Sequence, residues 1–184
     1  RSYGKKMRTR IKAIVSGRVQ GVGFRPTVYR YALKYSISGS VQNAPDGVVI
    51  NAEGEASAIT GFLEQLQKKP PDYARIDKIH VDTMQPKGDR NFVISKSLRS
   101  GNLKTDMPPD IATCDQCLAE FTNPDDRRYH YPFLNCTKCG PRFTIIQSLP
   151  YDRINTSMVS FGMCSSCMAE YKNPLDRRFD AQPN

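Results

Sequence analysis

All six cysteines of the chain lie between residues 114 and 167, and they come as three Cys-x2-Cys pairs. Two residues between cysteines let both sulfurs of a tight turn face one ion. Two such turns complete a tetrahedral four-sulfur site. Cys114 and Cys117 are followed after 18 residues by Cys136 and Cys139, which is the spacing of a four-cysteine zinc site. Disulfides are the alternative, but they belong to oxidising compartments. The N-terminus is basic and polar with no apolar leader, so a reducing, cytoplasmic setting is expected.

The third pair, Cys164 and Cys167, exposes an internal repeat. The stretch Cys114–Tyr129 recurs as Cys164–Phe179 at an offset of 50 residues, with identities at both cysteines, Ala119/Ala169, Glu120/Glu170, Asn123/Asn173, Pro124/Pro174, Asp126/Asp176 and the Arg-Arg pair. A repeat of this length reads as a duplicated unit. By its rule Cys164 and Cys167 expect a further pair at 186 and 189, past residue 184, so the second zinc unit reads as cut and the chain as a fragment. Pairing within a repeat is favoured. An interleaved scheme, in which Cys136, Cys139, Cys164 and Cys167 share one ion, stays open. Four thiolates leave no open position for water or substrate, so the zinc is expected to be structural. His130 aligns with Asp180 in the repeat and is not needed as a ligand. His80 falls in a strand and reads as a surface or core histidine.

The charge divides the chain in the same place. Residues 1–100 carry 18 lysines and arginines against 8 acidic residues, whereas residues 101–184 carry 9 against 10. A basic first half asks for an anionic partner. No apolar run approaches 18 residues, so no membrane span or membrane partner is expected. The expected organisation is an N-terminal arm (1–7), a first domain (8–98), a linker (99–113), a first zinc-finger unit (114–163) and a truncated second one (164–184).

Within the first domain, Ile11, Ala13 and Val15 alternate as a strand over 8–16. Pro26 suits a first helical position, and Val28, Tyr31, Ala32 and Tyr35 recur at helical spacing until Gly39 breaks the pattern. Ser40–Asn43 and Val48–Ala52 flank the turn Ala44-Pro45-Asp46-Gly47 as two strands. Ile59, Phe62, Leu63 and Leu66 form the stripe of a second helix ended by Lys68-Lys69-Pro70-Pro71. Ile76–Met84 and Phe92–Ser95 are further strands. The order βαββαβ with a short extra strand is an α+β, ferredoxin-like arrangement.

Strand one and helix one are joined by Gly17-Arg-Val-Gln-Gly-Val-Gly-Phe-Arg25. Its glycines allow several N–H groups to turn inward, and the helix start adds unpaired N–H groups and partial positive charge. Gln20, Gly21, Val22, Gly23, Phe24 and Arg25 are the candidate phosphate cradle. Arg25 opposes the helix dipole, a cost that a bound dianion would offset.

This loop, with Gly39-x-Val-x-Asn43 and Asp46-Gly47-Val48 downstream, resembles the acylphosphatase fingerprint over residues 8–98. The resemblance implies that Arg25 binds the phosphoryl group and that Asn43 positions the attacking water. Asn43 is not a base at neutral pH, but an acyl phosphate has a good leaving group and needs positioning more than a base. Residues 1–100 hold no obvious metal-ligand set, so a metal-independent hydrolysis fits. Adding Pro108-Pro109-Asp110-Ile-Ala-Thr, Tyr131–Ile146 and Arg177-Arg178-Phe179-x-Ala-Gln-Pro-Asn184, nearly the whole chain resembles the N-terminal quarter of the HypF family of hydrogenase-maturation carbamoyltransferases. That family usually has His before Ala-Gln-Pro, where this chain has Asp180. The resemblance implies carbamoyl phosphate as the acyl phosphate, and zinc fingers as scaffold. For the full-length enzyme it implies ATP as second substrate and a HypE-type maturation protein as partner. The rival readings are a zinc-dependent nucleic-acid-binding module and an interaction module with an inactive loop. The finger region is not basic and no recognition helix is evident, so no nucleic-acid partner is expected.

Overall fold

The computed structural model describes residues 8–97, 110–140, 142–148 and 151–184. The expected arm (1–7) lies outside the described residues, as does most of the expected linker. The chain divides into two compact units, residues 1–20 with 24–106 and residues 21–23 with 107–184.

The first unit runs β1 (Arg8–Arg18), α1 (Phe24–Lys34), β2 (Ser38–Ala44), β3 (Gly47–Glu55), α2 (Ala56–Lys68), β4 (Arg75–Met84) and β5 (Phe92–Ile94). The sheet order is β4-β1-β3-β2-β5. The first four strands pair antiparallel, and β5 adds parallel to β2. This is the expected α+β arrangement with its extra edge strand. The register of β1 on β3 puts Ala13 opposite Ile50 and Val15 opposite Val48. Those four side chains share one face and are fully buried, together with Val28 and Ala32 of α1 and Phe62 and Leu66 of α2. Alternation in the strands and 3.6-residue spacing in the helices thus build one core.

Two local expectations are corrected. Helix α1 begins two residues before Pro26, so the proline is the third helical residue. It is tolerated there because first-turn N–H groups have no intrahelical partner. Gly39 does not end the helix. The N–H groups of Ile37 and Ser36 close back onto the carbonyls of Ala32 and Leu33 at 2.8 and 3.1 Å, and Ser36 takes the left-handed position with φ of 53°, a Schellman ending. Gly39 lies inside β2 at φ of +134°, where a Cβ would stand 2.0 Å from the Asn51 carbonyl oxygen. Only glycine fits where two backbones approach this closely.

The opposite face carries a buried ion network. Arg10 and Glu53 are direct partners in the β1–β3 register. Arg10 Nη1 lies 3.3 Å from Glu53 Oε2 and 2.5 Å from Asp89 Oδ2. The N–H groups of Lys87 and Gly88 donate to the same carboxylate at 2.9 and 3.0 Å. Burial alone would raise the Glu53 pKa. The Lys87, Gly88 and Asp89 N–H groups and the Arg8 charge outweigh it and hold the carboxyl below its ordinary value.

In the second unit, α3 (Asp115–Thr122) and α4 (Ser165–Lys172) each start on a cysteine N-cap. Each is followed by the same turn. Asn123 Oδ1 accepts from Asp125 N–H and Asp126 Oδ1 from Arg128 N–H; Asn173 Oδ1 accepts from Leu175 N–H and Asp176 Oδ1 from Arg178 N–H. The chain then passes through His130 and Asp180, at φ of 53° and 55°. Their N–H groups donate to the Phe121 and Tyr171 carbonyls. The 50-residue repeat is therefore a repeat of conformation, and Asp180 keeps the backbone role of His130. Among the described residues no helix is long and apolar enough to cross a membrane.

Candidate functional site

Strand β1 ends and the glycine loop begins at the same end of the sheet as Asn43. Asn43 pairs with Val48, which places it on the helix-covered face. Loop and strand are tied together by Gln20, whose buried amide nitrogen donates to the carbonyls of Ala44 and Gly47, both at 2.7 Å. The side chain of this expected phosphate-binding residue is thus spent on the β2–β3 turn, and its remaining donor toward a ligand is the backbone N–H. Gly21 and Gly23 hold φ of 66° and 70°, values that a side-chain-bearing residue rarely adopts. Val22 and Phe24 are buried, and Phe24 opens α1 with Arg25 as its second residue. No acidic residue stands in the first turn of α1, so the positive helix end is not neutralised from within its own first turn.

Asn43 is 5% exposed. Its Oδ1 is buried and accepts no hydrogen bond among the described residues. A buried orphan acceptor is rare, and its natural donor is a bound water.

Gln20→Ala would leave the Ala44 and Gly47 carbonyls without that donor. It should cost about 1–3 kcal/mol of stability and loosen the loop against Asn43. A thermal melt reads the first effect.

The second cluster is the cysteines. The sulfurs of Cys114, Cys117 and Cys136 lie within 4.8 Å of one another. Cys139 Sγ is 3.7 Å from both Cys114 and Cys117. A tetrahedral ion with bonds of about 2.3 Å sets its sulfurs about 3.8 Å apart, so the donor set fits zinc. The four sulfurs come from one repeat, which is the favoured pairing and not the interleaved one. Three successive positive φ values, 60°, 46° and 69° at Thr137, Lys138 and Cys139, fold the second turn back so that both its sulfurs face the first. The hydrogen bond with Cys139 holds the Cys117 thiol down to about 5; burial opposes this, and the Arg177 guanidinium adds to the lowering. The same hydrogen bond, together with burial, pushes the Cys139 thiol up. Cys164 and Cys167 stand apart from this cluster, with the Cys167 N–H donating to Cys164 Sγ at 3.5 Å. His130 stacks on Tyr129 at 3.9 Å and His80 pairs with Asp82 on the exposed β4; neither belongs to the cysteine cluster.

Side-chain groups that the sequence reading left without a role surround the cysteines. Arg177 and Arg178 reach Glu120 and Cys117, and Arg127 and Arg128 reach Glu170 and Cys167. Burial tends to raise the Glu170 pKa, but Arg128 and Arg127 hold it down to about 2. The signal was present in the repeat, where Glu and Arg-Arg recur beside the cysteines.

Fold, loop and paired cysteine units together define a class: an acylphosphatase-type domain followed by cysteine fingers. The family model described as Acylphosphatase matches residues 11–94, and the HypF finger matches residues 113–146 and 163–184. The probable carbamoyltransferase HypF of Methanocaldococcus jannaschii is 50% identical over 157 residues, covering 83% of this chain and 20% of its own length. The acylphosphatase of Thermus thermophilus is 40% identical over 84 residues, 45% of this chain and 94% of its own. Full-length HypF in a phosphate- and nucleotide-bound form superposes with a TM-score of 0.87 at 44% identity, over 97% of this chain and 24% of that one. The chain belongs to the HypF family, with an acylphosphatase domain and HypF fingers. It spans about a fifth of the length of the HypF relatives it matches.

Proposed function

We propose that the acylphosphatase-type domain, residues 11–94, hydrolyses an acyl phosphate by in-line attack of water at phosphorus, and that in the full-length protein the substrate is carbamoyl phosphate. The observation that carries the reading is the orphan Oδ1 of Asn43, buried beside a loop that Gln20 ties to the same turn. Arg25 and the N–H groups from Gly21 to Phe24 bind the phosphoryl oxygens and neutralise their charge. Asn43 Oδ1 accepts a hydrogen bond from the water and fixes its lone pair toward phosphorus. The bond between phosphorus and the acyl oxygen breaks as the bond to the water oxygen forms. The acyl oxygen leaves with its electron pair as carbamate, and the water proton passes to solvent. The carbamoyltransferase names of the relatives support carbamoyl phosphate as the substrate. The nucleotide-bound form of full-length HypF supports ATP as a second substrate of the longer protein, for which the resemblance implies a HypE-type partner.

In the second unit we assign a structural zinc to Cys114, Cys117, Cys136 and Cys139, with Cys164 and Cys167 as half of a second site. Bound zinc would offset part of the charge of the four thiolates, cross-link them and so hold α3 to the turn at Cys136–Cys139. About one zinc per chain is expected from the one complete set. Chelation should abolish the transition of the second unit and leave that of the first, as followed by calorimetry; a folded second unit without metal contradicts this assignment. For the first unit, the test is phosphate release from carbamoyl or acetyl phosphate by the intact chain and by variants at Arg25 and Asn43.

A further inference from the structure

The two repeats exchange their arginine pairs. Arg177 belongs to the second repeat, yet its Nη1 lies 3.2 Å from Cys117 Sγ and 2.7 Å from Cys139 Sγ of the first. Arg177 and Arg178 both engage Glu120, which sits one helical turn after Cys117 and so on the same side of α3. The mirror arrangement holds across the unit. Arg127 Nη1 lies 3.2 Å from Cys167 Sγ, and its Nη2 lies 2.7 Å from Glu170 Oε1. Arg128 Nη2 lies 2.5 Å from Glu170 Oε2. Arg178 and Arg128 are 2% and 6% exposed, so their charges are committed to these partners.

We infer that Arg177 is a positioning residue for the zinc thiolates of the first repeat, held in place by Glu120, so that the affinity of this four-cysteine site is set by the other repeat. The inference rests on zinc being held by Cys114, Cys117, Cys136 and Cys139. Four thiolates around a divalent ion leave a net charge of about −2. A guanidinium that donates to two of the sulfurs delocalises that charge and fixes the orientation of both. The glutamate takes the rest of the guanidinium fork, which keeps the arginine pointed at sulfur. Without the exchange, Cys117 and Cys139 would lose the guanidinium donor, and the half-buried Glu120 its two arginine partners.

The test uses the whole chain loaded with cobalt(II), whose sulfur-to-metal charge-transfer band reports on the thiolates, and measures affinity by chelator competition. Arg177→Gln should weaken binding by about 10- to 100-fold and move the charge-transfer band to lower energy, because the sulfur lone pairs lose their donors. Arg177→Lys should recover part of both effects. Arg127→Gln, altered within the same repeat as the four cysteines, should weaken this site less than Arg177→Gln does. Arg153→Gln is the control, since Arg153 donates to the carbonyls of Gln182, Asn184 and Phe161 and to no sulfur. It should leave the band in place. Where Arg177→Gln does not fold, Arg177→Lys decides: a displaced band supports the assignment, and an unshifted band with unchanged affinity overturns it. A larger loss in Arg127→Gln than in Arg177→Gln also overturns it. Failure to bind cobalt through these four cysteines at all would instead refute the zinc assignment beneath it.

Discussion

Arg25→Ala lowers phosphate release from carbamoyl or acetyl phosphate by roughly 10²-fold or more, the scale of losing one charge-assisted donor to a transition state. The site has little else to supply charge. The loop offers N–H groups and the positive end of α1, whose first turn holds no acidic residue. Arg25→Lys should recover only part of the rate, because a point charge does not replace a planar two-pronged contact. Asn43→Ala removes the acceptor proposed to hold the water and should also cost roughly 10²-fold in kcat, with a smaller change in KM because the proposed phosphoryl contacts remain. The contrast between the two variants is informative. In the proposed mechanism Arg25 meets charge that grows at phosphorus, whereas Asn43 meets only the nucleophile. Phosphate release by stopped assay, with far-UV circular dichroism to confirm folding, measures both. Rates unchanged in Arg25→Ala and Asn43→Ala together exclude the site.

The second large effect is on stability. Glu53→Ala should destabilise the first unit by about 3–5 kcal/mol, the cost of breaking a buried pair from one side. Glu53 is 1% exposed, and its loss leaves Arg10 with Asp89 as its carboxylate partner and deprives the Lys87 and Gly88 N–H groups of their acceptor. For a unit of this size that is a fall of more than about 10 °C in Tm. An exposed pair such as Glu64–Lys68 should cost no more than about 0.5 kcal/mol when broken. The pH dependence follows the sign of the shift. The Glu53 pKa is lowered in the folded chain from 4.5, so its contribution is complete above about pH 4.5 and is lost as pH falls toward its lower folded value. Denaturation curves of the parent and of Glu53→Gln should therefore converge on acidification through that range.

The strand order, both helices and the hairpin at Pro45-Asp46 were legible because each is written in short-range pattern: alternation in Ile11-Ala13-Val15, 3.6-residue spacing in Ile59-Phe62-Leu66, turn residues between β2 and β3. The misjudged points share a cause. Pro26 and Gly39 were read by their local preferences, but tertiary packing decided both: α1 extends back to Phe24 so that its ring reaches the core, and Gly39 is required by the approach of Asn51. In the candidate site, Arg25, Asn43 and the six cysteines were legible as motifs. What Gln20 does was not, since a glutamine in a loop carries no sign of the two carbonyls it will meet. The arginine exchange was visible only as repetition. Sequence shows that Arg-Arg recurs 50 residues on, but which repeat each pair serves is decided by the contacts each makes across to the other repeat's cysteine and glutamate.

In the proposed mechanism water attacks phosphorus beside Arg25 and Asn43. Hydrolysis of acetyl phosphate by the chain in water enriched in oxygen-18, corrected for the uncatalysed reaction, tests it most directly. One labelled oxygen is expected in the released phosphate and none in the acetate, with the enzymatic part lost in Arg25→Ala. Label in the acetate, which would mean attack at carbon, or no release above the uncatalysed rate, would contradict it.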